Sequence, residues 1–244
     1  MTIRIAMWSG PRNLSTAMMR SFGSRSDTFV SDEPFYGCFL KTTGVDHPMR
    51  EETIAAMDCD WASVIHTLRG DPSGDSPIWY QKHMWHHMEG PVGYDDFAGF
   101  THAFLIREPE RMIASYLRKR ESAAFENFGL DRQAEFFERE ADRLGHAPPV
   151  IDANDVLVDP TGVLSKLCRA LGIPWDPAML SWAPGSRQTD GPWAPHWYGA
   201  VERSSGFGPP ETEAVDLPAE AQLLADRCRP YYERLAAHRI RGDA

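Results

Sequence analysis

The sequence predicts an α/β protein, a parallel sheet with helices on both faces, on three observations. Short runs rich in β-formers alternate with segments of helical composition along the chain, the pattern of βαβ units in a covered parallel sheet. The opening is itself such a unit: an apolar run from Ile3 to Trp8, a loop at Ser9-Gly10-Pro11, and a helical stretch from Ser15 to Phe22. Hydrophobic residues make up 42% of the 244 and aromatics 11%, enough for a sizeable core and too many for a disordered chain. This length suits one domain over residues 1–244.

The elements follow in order. Ile3–Trp8 reads as a buried strand, and Ser15–Phe22 as a helix that Ser15 or a neighbour can cap. Phe29-Val30-Ser31 is a second strand, delivering Asp32, Glu33 and Pro34 at its end. Residues 35–75 carry mixed helical patterns at Glu51–Cys59 and Trp61–Leu68. Ile78–Lys82 is a third strand, followed by His83-Met84-Trp85-His86-His87-Met88. His102–Ile106 is the clearest strand and runs into Arg107-Glu108-Pro109, with Pro109 suited to the first turn of a helix continuing to Arg120. Asp131–Leu144 is a charged surface helix, Pro149–Asp152 a short strand and Pro160–Leu171 a helix stopped by Gly172 and Pro174. Residues 183–210, rich in Gly, Pro and Trp, read as an ordered loop, and Pro218–His238 as a last amphipathic helix.

Charge narrows the partners. Against 25 Lys and Arg stand 35 Asp and Glu, a net −10. That argues against nucleic-acid or anionic-membrane surfaces, which need a basic footprint. An anionic ligand must be held by a local cluster of Arg and backbone amides. Cys38, Cys59, Cys168 and Cys228 are scattered without a C-x-x-C pair, as in reduced intracellular proteins. No apolar run has the length of a membrane span, and the N-terminus lacks a signal-peptide pattern. A cytoplasmic protein is expected.

Two places carry chemistry. In Gly10-Pro11-Arg12-Asn13-Leu14-Ser15-Thr16 a loop leads from a parallel strand into a helix, presenting free N–H groups and the positive end of the helix dipole to a phosphate. Arg12 adds a charge, and Ser15 and Thr16 add hydroxyls. The loop is not a Walker A motif, because Leu14 and Ser15 stand where its second Gly and its Lys would be. In Arg107 to Ser115 an Arg ends a buried strand and a Ser lies one to two turns into the next helix. Both fall near the carboxyl edge of the sheet, where open α/β folds bind ligands.

With these motifs the chain resembles the sulfotransferase family that uses 3′-phosphoadenosine 5′-phosphosulfate (PAPS). The family's P-[KR]-S-G-[ST]-T is matched by Pro11 to Thr16, and its R-[ND]-P-x-x-x-x-x-S by Arg107 to Ser115 at the same eight-residue offset. A third stretch, Y-E-D-L-x-x-x-P followed by F-L-G-[IL]-P, is echoed by Asn154 to Pro160 and Ala170 to Pro174. The chain departs from the family at Leu14 (for Gly), Ala17 (for an aromatic that stacks on adenine) and Ala153 (for Tyr). The resemblance implies a three-layer P-loop-type fold and PAPS as co-substrate. It implies that the loop amides of Arg12, Asn13 and Leu14, with Ser15 and Thr16, hold the 5′-phosphate, and that Arg12 stabilises the leaving oxygen. Arg107 and Ser115 would hold the 3′-phosphate, closed over by a late basic residue, Arg203 or Arg187.

The family places a general base after the second strand in some branches and after the third in others. Glu33 is the candidate in the first case and His83 or His86, beside Lys82, in the second. The acceptor would be a small molecule with a hydroxyl or amine, its pocket built from residues 35–75 and 183–210. Trp182, Trp193, Trp197 and Tyr198 either line that pocket or fill core under the loop. On a helix His83 and His87 would share a face at metal-ligand spacing, but no Glu follows His83 and no third ligand is evident, so no metal is expected. Two rival readings are a P-loop kinase-like phosphotransferase and a non-catalytic nucleotide-binding protein of the same fold.

Overall fold

In the computed structural model, which describes residues 2–243, six parallel strands form one sheet in the order β2-β3-β1-β4-β5-β6. The strands are β1 (Ile3–Ser9), β2 (Thr28–Asp32), β3 (Ile78–Met84), β4 (Thr101–Ile106), β5 (Val150–Asp152) and β6 (Arg239–Ile240). The helices are α1 (Ser15–Gly23), α2 (Tyr36–Thr43), α3 (Arg50–Ala56), α4 (Trp61–Arg69), α5 (Pro109–Leu117), α6 (Leu130–Leu144), α7 (Ala153–Val158), α8 (Pro160–Ala170), α9 (Ala194–Trp197), α10 (Gly199–Glu202) and α11 (Ala219–Ala236).

Alternation along the strands builds the layers. Ile5 and Met7 of β1 pack with Met18 and Phe22 of α1 and with Leu164 and Leu167 of α8. Ala6 and Trp8 face the other way, against Val64 and Leu68 of α4 and Phe136 of α6. Both faces are buried, so the inner strands read as continuous apolar runs. Because every pairing is parallel, the carboxyl ends of β1, β2, β3 and β4 lie along one edge. β1 sits between β3 and β4, so the chain leaves it toward one side of the sheet first and the other later. A crevice opens at such a switch point.

Some expected boundaries shift. β3 runs on to Met84, which puts His83 inside the strand rather than after it. Trp85 to His87 then form a single 3-10 turn, so His83 and His87 do not share a helical face and the metal-spacing pattern dissolves. Helices α2 and α7 and the short β6 lie in stretches where sequence alone gave no separate element. In the long 183–210 loop two one-turn helices, α9 and α10, form after Trp193. The expected cap of α1 is also different. Its N-cap is Leu14, in the left-handed region at φ 69°, with no side-chain capping bond.

No helix among the described residues is long and apolar enough to cross a membrane. The four cysteines are free thiols.

Candidate active site

The loop between β1 and α1 bends sharply. Arg12 at φ 63° and Leu14 at φ 69° both occupy the left-handed region, which costs a non-glycine residue free energy and gathers at functional sites. Arg107, ending β4, holds the bend by donating from Nη1 to the Arg12 carbonyl at 2.6 Å. Arg12 returns toward α5, its Nε donating to Ser115 Oγ at 3.1 Å. The two motifs that sequence placed 95 positions apart thus meet directly. Burial, with the Arg107 and Arg118 guanidiniums close by, lowers the Arg12 pKa from its usual value. A cationic cluster of this kind gains by accepting an anion.

In this structure Arg107 already holds a carboxylate. Its Nε donates to Glu211 Oε2 at 3.2 Å, and Nη2 donates to Oε1. The Glu211 N–H in turn donates to Asn154 Oδ1 at 3.0 Å, which ties the irregular 207–217 segment to α7. The cleft here has a volume of about 270 Å³ and runs from Arg107 and Ser115 past Thr16 and Ala17 to Gly206, Phe207 and Gly208.

A second cavity, about 90 Å³, adjoins the first. Arg12, Ser15, Thr16, Trp197 and Tyr198 line both. At its floor the register pairs Asp32 of β2 with Lys82 of β3. Lys82 is buried and its ammonium spends all three protons: on Asp32 Oδ1 at 2.9 Å, Glu33 Oε1 at 2.6 Å and the Tyr198 hydroxyl at 2.7 Å. Burial alone would lower the Lys82 pKa, but Asp32 and Glu33 hold it well above the usual lysine value. Tyr198 completes the set, accepting from Trp193 Nε1 at 3.0 Å and donating to Asp32 Oδ2 at 2.7 Å. Each hydroxyl lone pair and proton is therefore matched.

Glu33, unlike Asp32, is a carboxylate that lines the cavity. Its φ of 45° is a strained value, held by its N–H donating to the Lys82 carbonyl and its carbonyl accepting from Tyr36. Oε1 is bound to Lys82, while Oε2 points toward His87 Nδ1, 3.8 Å away. Burial pushes the Glu33 carboxyl up to about 6; Lys82 opposes the rise and the Asp32 charge adds to it. A carboxylate that is ionised at neutral pH yet poised to take a proton suits a general base. The histidines around it are held neutral. Burial brings His47 down to about 4 and His86 to about 3, and drives His87 well below its usual value.

A buried ion pair anchors the roof. Arg20 of α1 donates to both Asp190 oxygens, at 2.5 and 2.7 Å, and Gly191 N–H donates to Asp32 Oδ2 at 3.2 Å. Together they draw the 183–198 segment onto the sheet, so that Trp193, Trp197 and Tyr198 line the cavity.

A sequence profile described as "Sulfotransferase domain" matches residues 3–239. The chain belongs to the sulfotransferase domain family. Among solved structures it is similar to a sulfotransferase from Alicyclobacillus acidocaldarius, with a TM-score of 0.56 and 15% identity, covering 98% of this chain and 97% of that one. The sulfotransferase domains of the curacin biosynthetic pathway and of the Synechococcus PCC 7002 olefin synthase give TM-scores of 0.53 and 0.54 at 16% and 15% identity. They cover 94% and 93% of this chain and 98% and 94% of theirs. At such identities the likeness shows the fold alone, a parallel sheet flanked by helices. Two Arabidopsis thaliana proteins, branched-chain-amino-acid aminotransferase-like proteins 1 and 2, are 36% and 34% identical over 234 residues, 96% of this chain. The chain spans 42% and 41% of the length of these two curated relatives.

Within this sulfotransferase-family fold the residues singled out from sequence divide cleanly. Arg12, Ser15, Thr16, Arg107 and Ser115 come together in the first cleft, with Leu14 at its margin, and Glu33 and His86 line the second. His83 does not reach either. It lies on the opposite face of β3, stacked on Trp8 at 4.6 Å with Nε2 paired to Gln81 at 3.2 Å, because neighbouring strand residues point to opposite faces. The Asn13 side chain is fully buried and lines neither cavity. Arg203 ends α10 as an exposed residue outside both linings. Arg187 donates to carbonyls of its own loop, including Gly185 at 3.2 Å, and lines a different groove. Trp182 packs on Phe207 instead of joining the cavity wall.

Sequence reasoning missed Tyr36, His47, His87, Tyr116 and Glu211. One signal was available for the floor of the site: a lysine inside the buried strand β3 needs buried acidic partners, and Asp32-Glu33 ends the neighbouring strand.

Proposed function

We propose that this protein is a sulfotransferase that uses PAPS and sulfates a hydroxyl or amine of a small-molecule acceptor. The observation that carries the reading is that two cavities adjoin through shared walls, a cationic cleft lined by Arg12, Arg107 and Ser115 and a second cavity lined by Glu33. A donor in the first and an acceptor in the second would face each other across Ser15 and Thr16. The residues suit a bisphosphorylated nucleotide: two guanidiniums line one cleft beside a helix start with no side-chain cap. Bound PAPS supplies the sulfuryl group, whose bond to the 5′-phosphate oxygen breaks toward the phosphate as the acceptor atom adds to sulfur.

The roles of the side chains follow from their places. Loop amides with Ser15 and Thr16 bind the 5′-phosphate, and Arg12 meets the charge that develops on its oxygen. Arg107 and Ser115 take the 3′-phosphate, with Arg107 exchanging Glu211 for it. Glu33 Oε2 takes the acceptor proton. Lys82 orients Glu33 and has all three ammonium protons committed to Asp32, Glu33 and Tyr198, which makes it a positioning residue. A kinase-like alternative is weakened here, because a triphosphate would find no lysine in the loop and Lys82 has no proton to spare. The free thiols and the acidic surface are consistent with a cytoplasmic setting, which belongs to the same proposal.

Thermal-shift titration with 3′,5′-ADP, 5′-AMP and ATP tests the donor side, since a ligand that binds only the folded state raises Tm by mass action. The expected order is 3′,5′-ADP above 5′-AMP, with no Mg²⁺-dependent gain for ATP. Equal shifts for the two adenosine phosphates would remove the 3′-phosphate site from the reading.

A further inference from the structure

The acceptor cavity carries a detail that distinguishes a hydroxyl from an amine. His87 is 2% exposed; its ring stacks on Tyr36 at 4.3 Å and 5° and packs against Phe39 at 5.0 Å. Its Nδ1 is buried without a hydrogen-bond partner and stands 3.8 Å from Glu33 Oε2, too far for a direct bond. Glu33 and His87 line the same cavity. A single oxygen at ordinary hydrogen-bond distance from each, about 2.7–2.9 Å, closes a triangle on that 3.8 Å edge. The carboxylate opposite decides the tautomer: a proton on Nδ1 faces the Glu33 charge favourably, and a lone pair there would be repelled.

We propose that His87 Nδ1–H and Glu33 Oε2 together grip one acceptor oxygen, so that the acceptor is an alcohol or phenol rather than an amine. A hydroxyl has the right inventory. Its proton goes to Glu33 Oε2, one lone pair accepts from His87, and the other forms the bond to sulfur while the S–O bond to the 5′-phosphate breaks with its electron pair on the phosphate. His87 keeps its proton throughout. A neutral amine has one lone pair, which the new bond to sulfur uses, and leaves the His87 donor buried and unpaired, a loss of the kind that separates substrates strongly. A neutral imidazole at working pH agrees with this role, and so do the aromatic walls, which favour an uncharged body. With about 90 Å³ available, less than the roughly 150 Å³ cavity that takes a benzene ring, only the end of the acceptor that bears the hydroxyl is enclosed.

This rests on the sulfotransfer reading above, and the test separates the two. Phenol and aniline are isosteric and both uncharged at neutral pH, so their kcat/KM ratio with PAPS reports the hydroxyl preference. Wild type is expected to favour phenol by about 10²-fold or more, as sites built to hydrogen-bond a hydroxyl do. In His87→Phe, which keeps the stack on Tyr36 and Phe39, the ratio should fall at least tenfold. In His87→Asn, whose amide N–H reaches into the same space, most of the preference should return. The melting shift with 3′,5′-ADP checks that each variant still binds nucleotide. An unchanged ratio in His87→Phe, equal ratios in the Phe and Asn variants, or a wild-type preference for aniline would each overturn the assignment while sulfotransfer stands. Absence of PAPS turnover with any acceptor would overturn the functional reading itself, and this inference with it.

Discussion

Replacing Arg107 by alanine perturbs the donor cleft at its most connected point. The side chain has two duties: a fork that now grips Glu211 and would grip a 3′-phosphate, and an Nη1 bond of 2.6 Å that holds the Arg12 carbonyl in a left-handed bend. Hydrogen bonds to charged groups are worth roughly 1.5–3 kcal/mol, which at 1.4 kcal/mol per tenfold is about one to two orders of magnitude on 3′,5′-ADP. Loss of the Arg12 tether adds a smaller penalty of about 0.5–1.5 kcal/mol, and this one reaches the 5′-phosphate too. Isothermal titration should therefore show Arg107→Ala weakening 3′,5′-ADP by about 30- to 1,000-fold and 5′-AMP by only about two- to tenfold. Motif matching alone would leave 5′-AMP untouched, and the geometry is what introduces the second effect. Unchanged 3′,5′-ADP affinity, or equal losses on the two nucleotides, would refute the assignment of the fork to the 3′-phosphate.

Glu33→Gln should keep nucleotide affinity and lower turnover by about 10²–10⁴, the span of a positioned base; wild-type kcat/KM should rise with pH through about 6, where the buried carboxyl ionises. The same raised pKa has a stability sign. Folded Glu33 binds its proton more tightly than the unfolded chain, so its contribution is full below the unfolded value of 4.5 and is lost as pH rises through about 6. Calorimetry should find Glu33→Gln closing part of that loss at pH 7.5 and none of it at pH 4, and an identical Tm difference at both pH values would contradict this. Asp190→Ala strands the buried Arg20 guanidinium and should cost about 3–5 kcal/mol in denaturant unfolding, with a loss under 1 kcal/mol counting against the anchor. Glu211→Gln removes the charge that competes for Arg107 and should tighten 3′,5′-ADP by about two- to fivefold, the worth of a partly exposed ion pair; weaker binding would mean that Glu211 supports the nucleotide instead of yielding to it.

Local patterns were sufficient for the parts of this protein that depend on neighbours in sequence. The alternation of β-rich runs and helices determined a parallel sheet, Pro109 marked the start of α5, and the two motifs around Arg12 and Arg107 led to the family and to the cleft that both residues line. Three things were beyond such patterns, each for a physical reason. Whether a strand stops at Lys82 or continues two residues changes which face a side chain occupies, and apolar composition does not locate that end; the continuation of β3 is what sends His83 into the core beside Trp8. The Asp32–Lys82–Tyr198 floor joins residues 50 to 166 positions apart, and only the sheet register with the ion pair at Arg20 brings them to one point. Glu211 meeting Arg107, and His87 meeting Glu33 across 3.8 Å, are consequences of how a late strap and a 3-10 turn come to rest on the finished sheet. The sequence alone placed Arg12, Asp32-Glu33 and Arg107 at or just past the ends of β1, β2 and β4. Tertiary packing decided which of them share a cavity, because distance between side chains is a property of the assembled layers and not of spacing along the chain.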